Sequence, residues 1–223
     1  MSFSEPILAP WLLIAGGLIS LIVLALALLQ RPWRELLEDR GLQHRWLAAT
    51  VVAMLLWQLR AQSVDWLTLH LMFTALLTLL FKAPLALVTN LLVNLSLALL
   101  GRADWTLLGI NIVITGVIPV VIMVLIWRLV DRYLPDNVMI FLFLCGFFGS
   151  ALATLGTGLA GIGLVLLGAT DPEAVRLARD YLMFLPLLMP SEAFITGMLL
   201  SCLMIYHPDW VATFDSHRYI DTK

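Results

Sequence analysis

The feature that most constrains this chain is a succession of long apolar runs separated by short polar breaks. A transmembrane helix needs ~20 mostly apolar residues, with a range of ~17–25. Seven stretches qualify as candidates: about Ile7 to Leu29, Trp46 to Leu59, Val64 to Phe81, Ala83 to Leu100, Trp105 to Leu129, Val138 to Gly168 and Tyr181 to Tyr206. The third and fourth are parted only by Lys82-Ala83-Pro84, which reads as a tight turn because proline suits a first helical turn. The second stretch is short. The sixth is too long for a straight crossing of a ~30 Å hydrocarbon core at ~1.5 Å per residue, so it should tilt, break at its glycines or project beyond the lipid.

Composition agrees. Of 223 residues, 61% are hydrophobic and 13% charged, against about 45–50% and about 25% in soluble domains. A globule of this size cannot hide so much apolar surface from water, so its solvent is lipid. A soluble enzyme and a disordered chain are excluded. A net charge of −2 with no basic patch excludes a nucleic-acid binder. The expected fold is all-α, a polytopic membrane bundle of about seven transmembrane helices, with residues 1–206 in the bundle and 207–223 as a short solvated tail. The first stretch lacks a basic leader and a small-residue cleavage site, so it is expected to remain in the mature protein. Cys145 and Cys202 are too few for a disulfide framework and read as small buried hydrophobes.

Lysine and arginine set the expected orientation. With seven spans and the amino terminus outside, the cytoplasmic segments hold Arg31, Arg34, Arg40, Arg45, Lys82, Arg128, Arg132, Arg218 and Lys223. The outer segments hold only Arg60, Arg102, Arg176 and Arg179. The carboxyl tail is therefore placed in the cytoplasm. Trp11, Trp46, Trp66, Trp105 and Trp127 lie near span ends, where interfacial anchors belong.

Small residues mark close helix contacts. Two rows run along the sixth span, Gly146/Ser150/Thr154/Gly158 and Gly149/Ala153/Thr157/Gly161. They suit either packing or a cavity wall. Ala15, Gly16, Gly17 and Ser20 form a smaller patch on the first span, facing either another span or a docking partner.

Ionisable groups in lipid are costly and mark functional sites by default. His70 and Glu192 are such groups; each reads either as an internal hydrogen-bonding residue or as a substrate contact. Asn90/Asn94 and Asn111/Thr115 are pairs at helical spacing, suited to joining helices. His207-Pro208-Asp209 and Asp215-Ser216-His217 read as solvated tail rather than a metal site. No nucleophile–base pair, paired-carboxylate arrangement or ATP-binding loop is present, so the chain is not expected to be an enzyme, and active transport would need other subunits.

The opening Met1-Ser2-Phe3-Ser4-Glu5-Pro6-Ile7-Leu8-Ala9-Pro10 resembles that of the CbiM/NikM proteins, the cobalt- and nickel-binding membrane components of energy-coupling-factor ABC importers. Met1, Glu5, Leu8 and Pro10 match the family's pattern, whereas the family's second-residue histidine is Ser2 here. His70-Leu71 matches a histidine entering the family's third span. Gly101, Thr106, Leu108, Gly109 and Asn111 match a later segment, in which a second family asparagine is replaced by Ile114. Glu192-Ala193-Phe194-Ile195-Thr196 looks like a stretch of the family's last span.

The resemblance implies a multi-pass protein of a bacterial or archaeal inner membrane, partnered by an energy-coupling transmembrane protein and ATPase subunits. It implies a transition-metal substrate (Co, Ni or Cu) and no organic cofactor. It also implies a nitrogen-rich site in which the amino terminus folds back to the span 3 histidine, chemistry that suits tetragonal Ni(II), Cu(II) or Co(II). Carried onto this chain, the metal ligands are Met1, Ser2 and His70, with Glu5, Asn111 and Glu192 along the substrate pathway or around those ligands. The alternative is a CbiM-like protein that has lost the metal site and acts as a non-transport accessory or assembly factor.

Overall fold

A computed structural model describes residues 2–30, 32–64 and 66–215. Met1, a candidate ligand, and Ser216-His217 lie outside the described residues. The long helices are α1 (Pro10–Leu29), α3 (Arg40–Leu56), α4 (Thr74–Leu99), α5 (Trp105–Tyr133), α6 (Val138–Gly168) and α8 (Leu185–Tyr206), with shorter α2 (Pro32–Glu38) and α7 (Pro172–Leu182) between them. Five of these, all the long ones but the 17-residue α3, are long and apolar enough to cross a membrane. Their outward faces carry large apolar side chains such as Ile14, Leu21, Leu125, Phe148, Phe194 and Ile205, as lipid contact requires.

The expected third span, Val64 to Phe81, is not one helix. It begins as strands β2 (Ala61–Val64) and β3 (Leu67–Leu69), continues extended through His70 to Phe73, and becomes helical only at Thr74. Together with β1 (Ser2–Phe3), these strands make a three-stranded antiparallel sheet in the order β1-β3-β2. A short apolar run does not distinguish helix from strand by period, and pairing of β3 with β1 on one side and β2 on the other decides it here. The bundle is therefore helical with one small sheet at its end.

The Lys82 turn is real. Lys82 has φ 61° and ψ 170°, so α4 is two helices joined at a sharp break. Pro84 removes the N–H that would reach Leu80, leaving that carbonyl free. It is taken instead by the Ala212 amide (3.3 Å), while the Leu79 carbonyl accepts from the amide and hydroxyl of Thr213 (3.2 and 2.8 Å). Residues 208–214 are thus not a solvated tail. Val211 and Phe214 are buried, Phe214 packs on Phe141 with centroids 5.2 Å apart, and Asp209 pairs with Arg45 at 3.6 Å. The His207 ring stacks on Trp210. This carboxyl segment and β1 lie at opposite ends of the bundle.

Other expectations shift in detail. α6 absorbs its length with a π-helical stretch, Leu142–Gly149. Tyr181 belongs to α7, and the last long helix starts at Leu185. Trp46 and Trp66 are core residues rather than interfacial anchors; the Trp46 indole donates to Thr89 Oγ1 at 2.9 Å. Cys145 is buried, but Cys202 faces outward. The small patch on α1 is an internal seam, not a docking surface. Gly16 and Gly17 pack on Ile110 and Gly109 of α5, and a Cβ on Gly109 would come within 2.5 Å of the Gly17 Cα.

Candidate functional site

The sheet places the amino terminus inside the bundle. Ser2 and Phe3 are buried and pair with Thr68 and Leu67. Asn111 of α5 grips Phe3 from the side: the Phe3 amide donates to Oδ1 at 2.9 Å, and Nδ2 donates to the Phe3 carbonyl at 2.9 Å. The Ser2 hydroxyl lies 3.0 Å from Thr68 Oγ1 and 3.1 Å from His70 Nε2. Ser2 and His70, the two described ligand candidates, are therefore in contact although 68 residues apart.

The His70 ring is held from behind. It lies against Trp57, with centroids 4.0 Å apart at 40°. The Trp57 indole donates to the Met72 carbonyl at 3.1 Å. The Glu192 carboxylate accepts from the backbone amides of Met72 and Phe73. Two helices thus fix the peptide segment that carries His70 from its two sides: α3 through Trp57 at its carboxyl end and α8 through Glu192. Trp57 and Thr68 escaped the sequence reading, since a tryptophan at the end of a short apolar stretch looks like an interfacial anchor.

Beneath the site, Asn90, Asn94 and Thr115 form a buried network. Pro119 lacks the N–H that would satisfy Thr115 four residues earlier. The Thr115 carbonyl instead accepts from Asn90 Nδ2 (3.0 Å) and the Thr74 hydroxyl (2.8 Å). These groups fasten the lower half of α4 to α5, and Thr115 continues back to the Asn111 carbonyl (2.7 Å).

Glu5 is not part of this cluster. It is exposed at an open mouth shared with Arg60, Arg102 and Asp104. There Arg60 donates to the Arg102 carbonyl at 2.8 Å. The Thr106 hydroxyl and amide donate to the Asp104 carboxylate and hold its pKa below the ordinary range. Among the described residues, no group of three or more His, Cys, Asp or Glu side chains is placed to hold a metal ion.

A family model described as the cobalt uptake substrate-specific transmembrane region, CbiM, matches residues 3–210. The chain belongs to the CbiM family. Two solved structures share its fold. One is a truncated transition metal transporter, 21% identical, with a TM-score of 0.74 over 93% of this chain and 100% of that one. The other is a transition metal transporter, also 21% identical with a TM-score of 0.74, over 92% of this chain and 93% of that one. No curated protein matches in sequence. The resemblance read from the amino terminus, His70 and the Asn111 segment is thus supported along nearly the whole chain. As a CbiM member, the protein is a membrane component of a transport family rather than of an enzyme family.

Proposed function

We propose that this CbiM protein is the substrate-binding component of an energy-coupling-factor importer, taking up a transition-metal cation of the cobalt or nickel kind. It crosses the membrane seven times, with the sheet end outside and the carboxyl segment cytoplasmic, in a bacterial or archaeal inner membrane. Residues 1–206 make the transmembrane unit and 207–223 follow on the cytoplasmic side, with 208–214 packed back on the bundle. A coupling membrane protein and ATPase subunits supply the energy.

The observation that carries this reading is the 3.1 Å contact between Ser2 Oγ and His70 Nε2, on a terminus gripped at Phe3 by Asn111. A cation binding there takes His70 Nε2 in place of the serine hydroxyl. The backbone nitrogen of Ser2 and the nitrogen of Met1 supply further donors. Nitrogen donors of this kind favour late first-row divalent metals. Trp57 and the Met72 tether keep the imidazole oriented, as the groups around a metal ligand commonly do.

A second reading rests on Ser2 itself. With one imidazole where the family pattern has two, the fold serves as an accessory or assembly factor without a metal. Metal content decides between them. Purified protein with its native terminus is loaded with Co, Ni, Cu or Zn, and His70→Ala and Ser2→His are compared with wild type. Near-stoichiometric metal lost in His70→Ala supports uptake; no metal in wild type together with metal in Ser2→His supports the second reading.

A further inference from the structure

A cavity of about 380 Å³ lies behind His70, between the extended strand at residues 69–72, α6 and α8. At ~30 Å³ per water, it has room for several. Its walls are mostly apolar, but its polar lining is specific: His70, Glu192, Ser191, Thr154 and Thr157. Gly158 completes the wall, in close contact with the Leu185 side chain, so the small-residue rows of α6 serve both for packing and as a cavity wall.

Two features of this lining call for a ligand. Glu192 is 5% exposed and is the only acidic residue away from the ends of the five long helices. Two backbone amides, those of Met72 and Phe73, occupy only part of a carboxylate's acceptor capacity of about four lone-pair sites. Thr157 is 1% exposed, lines the same cavity, and its hydroxyl has no hydrogen-bond partner among the described residues. Buried hydroxyls in folded proteins are almost always paired. The donors here are oxygens, unlike the nitrogen donors at Ser2 and His70.

We propose that this cavity is a second cation station, in which Glu192 and Thr157 hold a divalent cation that keeps part of its water shell. His70 borders both places, so the station receives the cation on its way past the amino terminus. Oxygen donors and retained water bind less tightly than a closed nitrogen site, which suits a point of transit. The inference rests on the uptake reading above.

The test uses the full-length protein in detergent, with Mn²⁺ as probe because carboxylate, hydroxyl and water donors suit it. Free Mn²⁺ is followed by electron paramagnetic resonance, and Co²⁺ stoichiometry is measured in parallel. Mn²⁺ binding should weaken about tenfold or more in Glu192→Gln and in Thr157→Val. Thr157→Val breaks no bond to Met72 or Phe73, so it decides the matter if Glu192→Gln does not fold. Unchanged Mn²⁺ binding in Thr157→Val, or no Mn²⁺ binding by wild type into the millimolar range, overturns the station. Co²⁺ stoichiometry indifferent to His70→Ala overturns the uptake reading instead, so the two failures are distinguishable.

Discussion

Asn111 forms two hydrogen bonds with Phe3 across 108 residues, one to each backbone polar group, both 2.9 Å long. This clamp is what seats Ser2 against His70. Asn111→Ala leaves both backbone groups of a buried residue unpaired, at about 1–3 kcal/mol for an unsatisfied group. Amide exchange at Phe3 and Ser4 should accelerate by one to two orders of magnitude on that scale (~1.4 kcal/mol per tenfold), while exchange in α6 stays unchanged. Equal acceleration throughout the chain would contradict a local clamp.

The α1–α5 seam sets a second expectation. A Cβ on Gly109 meets the Gly17 Cα at 2.5 Å, a backbone atom that cannot turn aside as a side chain would. Gly109→Ala should destabilise by about 1–3 kcal/mol, the usual cost of overpacking. The same change at Gly163, with nothing within 4 Å, should be near neutral or slightly stabilising through helix propensity. Thermal unfolding in detergent compares them.

Ending the chain at Tyr206 removes the donors to the Leu79 and Leu80 carbonyls and uncovers Phe141. A solvated tail would be dispensable; this segment is not. The truncated protein should unfold at a lower temperature than the full chain, and Phe214→Ala alone should account for much of the loss, at about 3–5 kcal/mol for a well-packed phenylalanine. An unchanged Tm in both would contradict the packing of residues 208–214.

Much of this was legible before the structure. The apolar runs locate the long helices, and Lys82-Ala83-Pro84 marks the break in α4. Other features depend on partners far along the chain. Leu69-His70-Leu71-Met72-Phe73 is as apolar as a helix, and the segment leading into it is drawn out as a strand by pairing with Ser2 and Phe3 on one side and with residues 61–64 on the other. The α1 glycines look like a free docking face until Gly109 meets them. Ser2 and His70 share no sequence spacing, and their approach was implied only by the CbiM/NikM resemblance. Thr157 looked like one small residue in a packing row, because nothing in a sequence tells which hydroxyls lack a partner.

Metal at the terminus is the central claim, and metal content measures it most directly. The protein is purified with its native terminus, exposed separately to Co, Ni, Cu and Zn, and its bound metal is counted per chain beside His70→Ala. The uptake account predicts near-stoichiometric Co or Ni in wild type and little in His70→Ala. Wild-type protein that holds none of the four metals, or holds them equally well without His70, contradicts it.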